Sequence, residues 1–185
     1  MSPRVGLDVK RIIETAAELV DKEGVDSLTL ATIARKLNVR PPSLFNHIEG
    51  LHSIKRELSL YGLTLFYEKI EEASREKNKN EAIFSFAYAY IQFAREHPGI
   101  YELILRAPEP DDYELQAASS RIISLLSSCF SDYNLSEEYK IHAIRALRSI
   151  LHGFSTLEQK AAFGLPVSIE KTFELMIQGF IDSIK

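Results

Sequence analysis

Between Arg40 and His47 the sequence reads RPPSLFNH, and it places a hydroxyl (Ser43), an aromatic ring (Phe45), a carboxamide (Asn46) and an imidazole (His47) within five residues. Hydroxyl, amide and neutral imidazole each give and accept hydrogen bonds, so the group is equipped to read a polar surface. It is not equipped to break bonds. The chain offers no Gly-rich phosphate loop and no nucleophile beside a base at a recognisable turn. His142, His152 and Glu158 lie ten and six positions apart along one helical stretch, which misses the i, i+4 spacing that sets two metal ligands on one face. No enzyme activity, metal or cofactor is therefore expected.

The elements that must position these residues are helical. Glycine and proline are sparse, and apolar residues recur every three or four positions almost throughout, so the chain reads as all-α with about nine helices. The first helix spans about Asp8 to Glu23, with Ile12, Ile13, Ala16, Leu19 and Val20 on one face and Gly24 just past its end. A second starts after Thr29, an N-cap type, and buries Leu30, Ile33, Ala34 and Leu37. Asn38 tolerates the left-handed conformation, which makes LNV a tight turn. Pro41 is expected at the cap and Pro42 at the first position of a short third helix ending near His47, because a residue before proline avoids the helical region. A long helix follows from about Leu51 to Lys77. Further helices run from an Asn80 cap to His97, briefly from Pro98, from about Asp112 to Asp132, from Ser136 to Phe163, and from a Ser168 cap to about Ile184.

Charge is distributed unevenly. The chain of 185 residues carries a net charge of -4, which by itself argues against nonspecific nucleic-acid binding. Yet Ser27 to Arg56 holds Arg35, Lys36, Arg40, Lys55 and Arg56 against Glu49 alone, a local excess of four positive charges. One cysteine, Cys129, excludes an intramolecular disulfide and reads as a small apolar filler. No apolar run reaches the ~20 residues a membrane-spanning helix needs, and the N-terminus lacks a secretory apolar core. The expectation is a cytoplasmic protein with no membrane partner.

Three short helices, the second and third joined by a tight turn, describe a helix-turn-helix whose last member enters the major groove of DNA. Leu44 and Ile48 serve to anchor that member inward, leaving Ser43, Asn46 and His47 to meet phosphates or bases. The stretches IIETAAELVDKEGVDS and LTLATIARKLNVRPPSLFNHIEGLHSIKREL closely resemble the DNA-binding module of TetR-type transcriptional regulators. The resemblance implies that Thr29 docks the second helix on a phosphate and that Pro41, Ser43, Phe45 and His47 occupy groove-facing or phosphate-contacting positions. Phe45 stands where tyrosine is more usual and keeps only van der Waals contact, and Leu51 stands where a basic residue is common, with Lys55 and Arg40 to compensate. Asn46 is a further candidate.

FAREHPGIYELIL and ALRSILHGFSTLEQKAAFG are similar to the ligand-sensing half of the TetR subgroup with a Trp-His-Gly signature, here with Leu151 before His152 and Gly153. Residues 1–50 then form a DNA-binding domain, and 51–185 a ligand-binding and dimerisation domain. In the latter, Tyr88, Tyr101 and His152 combine apolar bulk with a polar tip that can orient a small effector. Gly153 and Gly179, inside helical patterns, suggest close helix crossings, and the resemblance places those helices at a homodimer interface. The whole reads as a ligand-responsive repressor on a palindromic operator, released by a small apolar effector. The rival reading is a helical interaction protein without specific DNA binding.

Overall fold

The computed structural model describes residues 7–185. Among these the chain forms α1 (Val9–Glu23), a 3-10 turn (Val25–Ser27), α2 (Leu30–Leu37), a second 3-10 segment (Pro41–Asn46), α3 (Leu51–Ser74), α4 (Lys79–Glu96), α5 (Pro98–Ile104), α6 (Tyr113–Ser128), α7 (Glu137–Gln159) and α8 (Ile169–Ser183). There is no strand among the described residues, and eight α-helices with the six-residue 3-10 segment make up the expected nine. No helix among them is long and apolar enough to cross a membrane. The chain divides into two compact units, one of residues up to 64 with 97–115, the other of 65–96 with 116–185.

In the first unit α1 starts where Asp8 accepts the Arg11 amide at 2.8 Å, and ends at Gly24, whose φ of 83° a side chain would oppose. Its apolar stripe, Ile12, Ile13, Ala16, Leu19 and Val20, is buried. Thr29 opens α2 through a reciprocal cap: its hydroxyl accepts the Thr32 amide at 3.1 Å, while the Thr32 hydroxyl accepts the Thr29 amide at 3.0 Å. Asn38 closes α2 in the left-handed region (φ 54°, ψ 44°), its N–H reaching the Arg35 carbonyl and that of Val39 reaching Ala34. Helix α1 packs on α2 and on α5. The α1–α5 contact is backbone-close, because a Cβ on Gly99 would collide with the Val20 carbonyl.

In the second unit α4 packs against α7 and α8, and those two against each other. Aromatic rings fill it: Phe66 lies 4.9 Å from Phe93 between centroids, and Phe154 4.9 Å from Phe173. Ser136 and Ser168 cap α7 and α8 by accepting the Tyr139 and Lys171 amides. Asn80 does not cap α4; its side chain accepts the Tyr133 hydroxyl at 2.7 Å, tying α4 to the turn after α6. Helix α3 stops at Ser74, short of Lys77, and Glu76 turns the chain at φ 59°. Helix α7 ends at Gln159 rather than Phe163, because Ala161 takes φ 51° and the amides of Ala161 and Ala162 return to the carbonyls of Glu158 and Leu157. Those bonds satisfy the last carbonyls before Gly164 is reached.

The close α1–α5 approach yields a stability prediction. Gly99→Ala should lower stability by ~1–3 kcal/mol, the cost of forcing an added methyl into a packed contact. Thermal melting of the full chain measures it.

Candidate nucleic-acid interface

The RPPSLFNH segment folds as a 3-10 turn rather than the short α-helix its sequence suggests. Arg40 is extended (φ -83°, ψ 141°), Pro41 is the first residue of the turn, and Pro42 the second. Neither proline carries an N–H, so the first bond available is from the Ser43 amide to the Arg40 carbonyl, an i to i+3 bond of 2.9 Å. The bond from His47 to Leu44 repeats that spacing. Pro41 thus takes the helical place expected for Pro42, one residue earlier, with Arg40 as the cap.

Three residues per turn determine which side chains emerge. Leu44 is fully buried and Ile48 is 7 % exposed, so these two point into the unit. Rotated one third of a turn away, Phe45 stands 58 % exposed above exposed Pro42, and on the third side exposed Asn46 stands above Ser43. Ser43 is half-buried rather than fully outward. At His47 the chain leaves the 3-10 geometry (φ -126°, ψ -22°), which carries the imidazole clear of the Leu44 line and into solvent.

Thr29, Arg40, Pro41 and Lys55 are exposed as well. The Thr29 hydroxyl accepts the Thr32 amide and lies 3.0 Å from the Thr32 oxygen. Its own proton is left to donate outward if the Thr32 proton goes to the Ser27 carbonyl at 2.9 Å. Arg35, Lys36, Arg40 and Lys55 have no carboxylate partner among the described residues. Arg56, the fifth cation of the local excess, is different: it is engaged by Glu57, Asp112 and Glu114. Hydrogen bonds to Asp112 and Glu114 raise its pKa further, and its guanidinium, with the Leu115 amide, holds the Asp112 carboxyl below its usual range. Of the five cations of the local excess, four are therefore exposed and without a carboxylate partner among the described residues.

Two residues escaped the sequence reading. Pro42 shares the exposed face of Phe45, and His52 lies exposed one turn before Lys55 on α3. The first follows from the 3-10 period and was hidden by assuming an α-helix. The second was legible as an i, i+3 pair.

The three effector candidates fall in different compact units. Tyr101 is 2 % exposed and belongs to the first unit, whereas Tyr88 and His152 belong to the second. Tyr88 is 43 % exposed, its ring edge-on to Phe173 and its hydroxyl 3.5 Å from Glu174; His152 is exposed on α7. Cys129 is buried, and burial pushes its thiol up to about 11, which leaves it protonated and unreactive at neutral pH. No cluster of three or more His, Cys, Asp or Glu side chains suited to a metal occurs among the described residues.

Comparison with known proteins agrees with this geometry. Residues 83–180 match the family model of the tetracyclin repressor-like C-terminal domain. The chain is 40% identical over 185 residues to the uncharacterized HTH-type transcriptional regulator YobS of Bacillus subtilis (strain 168), covering 100% of this chain and 96% of that protein. In fold it is similar to a protein of unknown function from Rhodococcus sp. RHA1, with a TM-score of 0.84 at 18% identity over 100% of this chain and 99% of the other. It is likewise similar to a TetR variant from Acinetobacter baumannii AYE solved in complex with minocycline, with a TM-score of 0.68 at 20% identity and 96% of each chain covered. Members of this family regulate transcription and are not enzymes. By the family match, the full-length relative and the buried-Leu44 turn that displays Phe45, Asn46 and His47, the chain belongs to the TetR-type helix-turn-helix transcriptional regulators.

Proposed function

We propose that this regulator is a homodimeric repressor that binds a palindromic DNA operator through the 41–47 edge and is released by a small apolar effector. The observation that carries this reading is the edge itself: Phe45, Asn46 and His47 are exposed on a turn whose Leu44 is fully buried, in a stretch with four exposed cations that meet no carboxylate among the described residues, within a chain of net charge -4. Asn46 and His47 supply hydrogen bonds to base edges, and Phe45 with Pro42 packs against sugars or a thymine methyl. Thr29, Arg40, Pro41, Ser43 and Lys55 dock the module on phosphates and set its register. The reading surface lies within residues 1–50, with Lys55 just beyond it adding a phosphate contact, and residues 51–185 provide dimerisation and effector binding. Acting on DNA, the protein works in the cytoplasm.

The dimer rests on α7 and α8. Gly153 and Leu157 on α7, and Leu175 and Gly179 on α8, are i, i+4 pairs on the helix surface; Leu157 and Leu175 are 48 % and 63 % exposed. A Cβ at either glycine would meet nothing within 4 Å among the described residues. Close helix crossing at these glycines therefore needs a second copy, and a two-fold pairing brings the same patch of each protomer together. In such a dimer two reading edges lie about one DNA turn apart, roughly 34–36 Å, the distance an effector controls by favouring one of two body conformations. The minocycline complex of the similar TetR variant supports a small-molecule effector of this general kind. Of the effector candidates, Tyr88 and His152 are the exposed ones and Tyr101 is buried.

Electrophoretic shift with duplex DNA from the protein's own promoter region, at two salt concentrations, tests the reading. With Arg40 and Lys55 on phosphates in each of two protomers, log affinity should fall with log salt at a slope of about -4, at ~0.9 per phosphate neutralised. Binding no duplex better than random sequence would return the chain to a helical interaction protein. His47→Ala should cost ~1–3 kcal/mol of specific binding if the imidazole contacts a base, with thermal melting unchanged. Leu175→Glu should convert the dimer to monomer in sedimentation velocity and weaken operator binding with it, because a charge is placed on the apolar contact.

A further inference from the structure

Segment 97–115 belongs to the same compact unit as the DNA-reading edge although α4 precedes it in sequence. Two charged side chains fasten it there, one at each end. At its start, Asp21 in the last turn of α1 turns its carboxylate onto the beginning of α5. Asp21 Oδ1 accepts the amides of Gly99 at 3.0 Å and Ile100 at 2.9 Å, and Oδ2 lies 2.8 Å from His97 Nδ1. These are amides that a helix start leaves without intrahelical partners, and a carboxylate is the group that its dipole favours. The absence of a Cβ on Gly99 lets the backbone come this close to Val20.

At the far end Arg56, in the second turn of α3, grips Asp112 with a two-pronged contact. Nε donates to Oδ2 at 2.6 Å and Nη2 to Oδ1 at 2.9 Å; Nη2 also reaches Glu114 at 2.9 Å. Asp112 in turn accepts the Leu115 amide, so the same carboxylate caps α6. Between the two fastenings Ile100 is fully buried and Tyr101 is 2 % exposed, and Gly62 of α3 leaves room for the methyl groups of Ile100 and Ile104.

Apolar burial already supplies the adhesion of this segment. Ion pairs as exposed as Arg56 with Glu114 add little stability, whereas a bidentate guanidinium–carboxylate fork restricts direction and register. What the two charged fastenings contribute is placement. They act on α1, which packs on α2, and on the start of α3, one residue past Lys55; these helices flank the reading turn on both sides.

We propose that segment 97–115 is an arm of the DNA-reading unit, and that Asp21 and Arg56 are positioning residues that use it to set the 41–47 edge for operator binding. The inference rests on the DNA-binding reading above. An arm released at either end leaves α1 or the start of α3 free to adopt other placements, and only the fraction in the binding placement engages the operator. By linkage, operator binding must then favour the fastened arm.

The test uses the full chain and a duplex that the wild-type protein selects from a random-sequence pool. Asp21→Ala and, on the arm itself, Asp112→Asn should each weaken binding to that duplex by about three- to tenfold, as partial loss of the competent placement requires. Each is measured well below its melting temperature, so that global unfolding does not enter; should Asp21→Ala fail to fold, Asp112→Asn and Arg56→Gln report on the other end. Hydrogen exchange supplies a readout that a purely structural role leaves unmoved. Adding the duplex should slow exchange at the Gly99 and Ile100 amides of the wild-type protein, and slow it less in Asp112→Asn. Affinities within twofold of wild type in the folded variants, or amide exchange indifferent to the duplex, overturn the arm. Selection of no duplex by the wild-type chain overturns the DNA-binding reading and the arm with it.

Discussion

The 41–46 turn has too few backbone hydrogen bonds to persist alone, since starting a helix costs more order than one or two bonds return. Its shape depends on Leu44, fully buried in the unit that α1 and α2 build, and on two prolines that restrict φ before any hydrogen bond forms. With one side chain fixed inward, a three-residue period leaves the next two no choice but to face out. Phe45 and Asn46 are exposed for that reason, and the break from 3-10 geometry at His47 brings out the imidazole as well. The chemistry of the protein follows from this anchoring.

The same anchoring organises the charges. An acidic chain approaches DNA productively only if its cations are concentrated and unopposed where contact occurs. Arg35, Lys36, Arg40 and Lys55 are exposed and unopposed by carboxylates among the described residues, whereas Arg56 is turned inward onto carboxylates of a segment nearly sixty residues away in sequence. A count along the sequence treats all five alike. The division between four exposed cations and one that holds the scaffold is made by the contact between α3 and the start of α6.

Helix order and most caps were legible in the sequence, because capping and turn chemistry are local. Thr29, Ser136 and Ser168 accept amides three residues on, and Asn38 adopts the left-handed turn its side chain tolerates. The departures occur where a tertiary partner or a competing local bond took over. Asn80 has the chemistry of a cap but meets the Tyr133 hydroxyl instead. Ala161 takes a left-handed turn three residues ahead of Gly164, because two amides there close the end of α7. Tyr88 and Tyr101 have the same amphipathic ring, yet one is 43 % exposed and the other 2 %, and nothing in their residue type distinguishes them.

The sequence by itself determined the all-helical pattern, the short turn with its two prolines and the inward role of Leu44 and Ile48, since these depend on period, φ restriction and hydrophobicity within a few residues. Only the tertiary structure decided that the turn is 3-10, that Pro42 joins Phe45 on one face, and that Asp21 and Arg56 fasten segment 97–115 to the reading unit. The 3-10 period depends on the burial of Leu44 together with the two prolines. The fastening depends on which distant groups come within hydrogen-bond reach, and the spacing of residues along a chain does not contain that information.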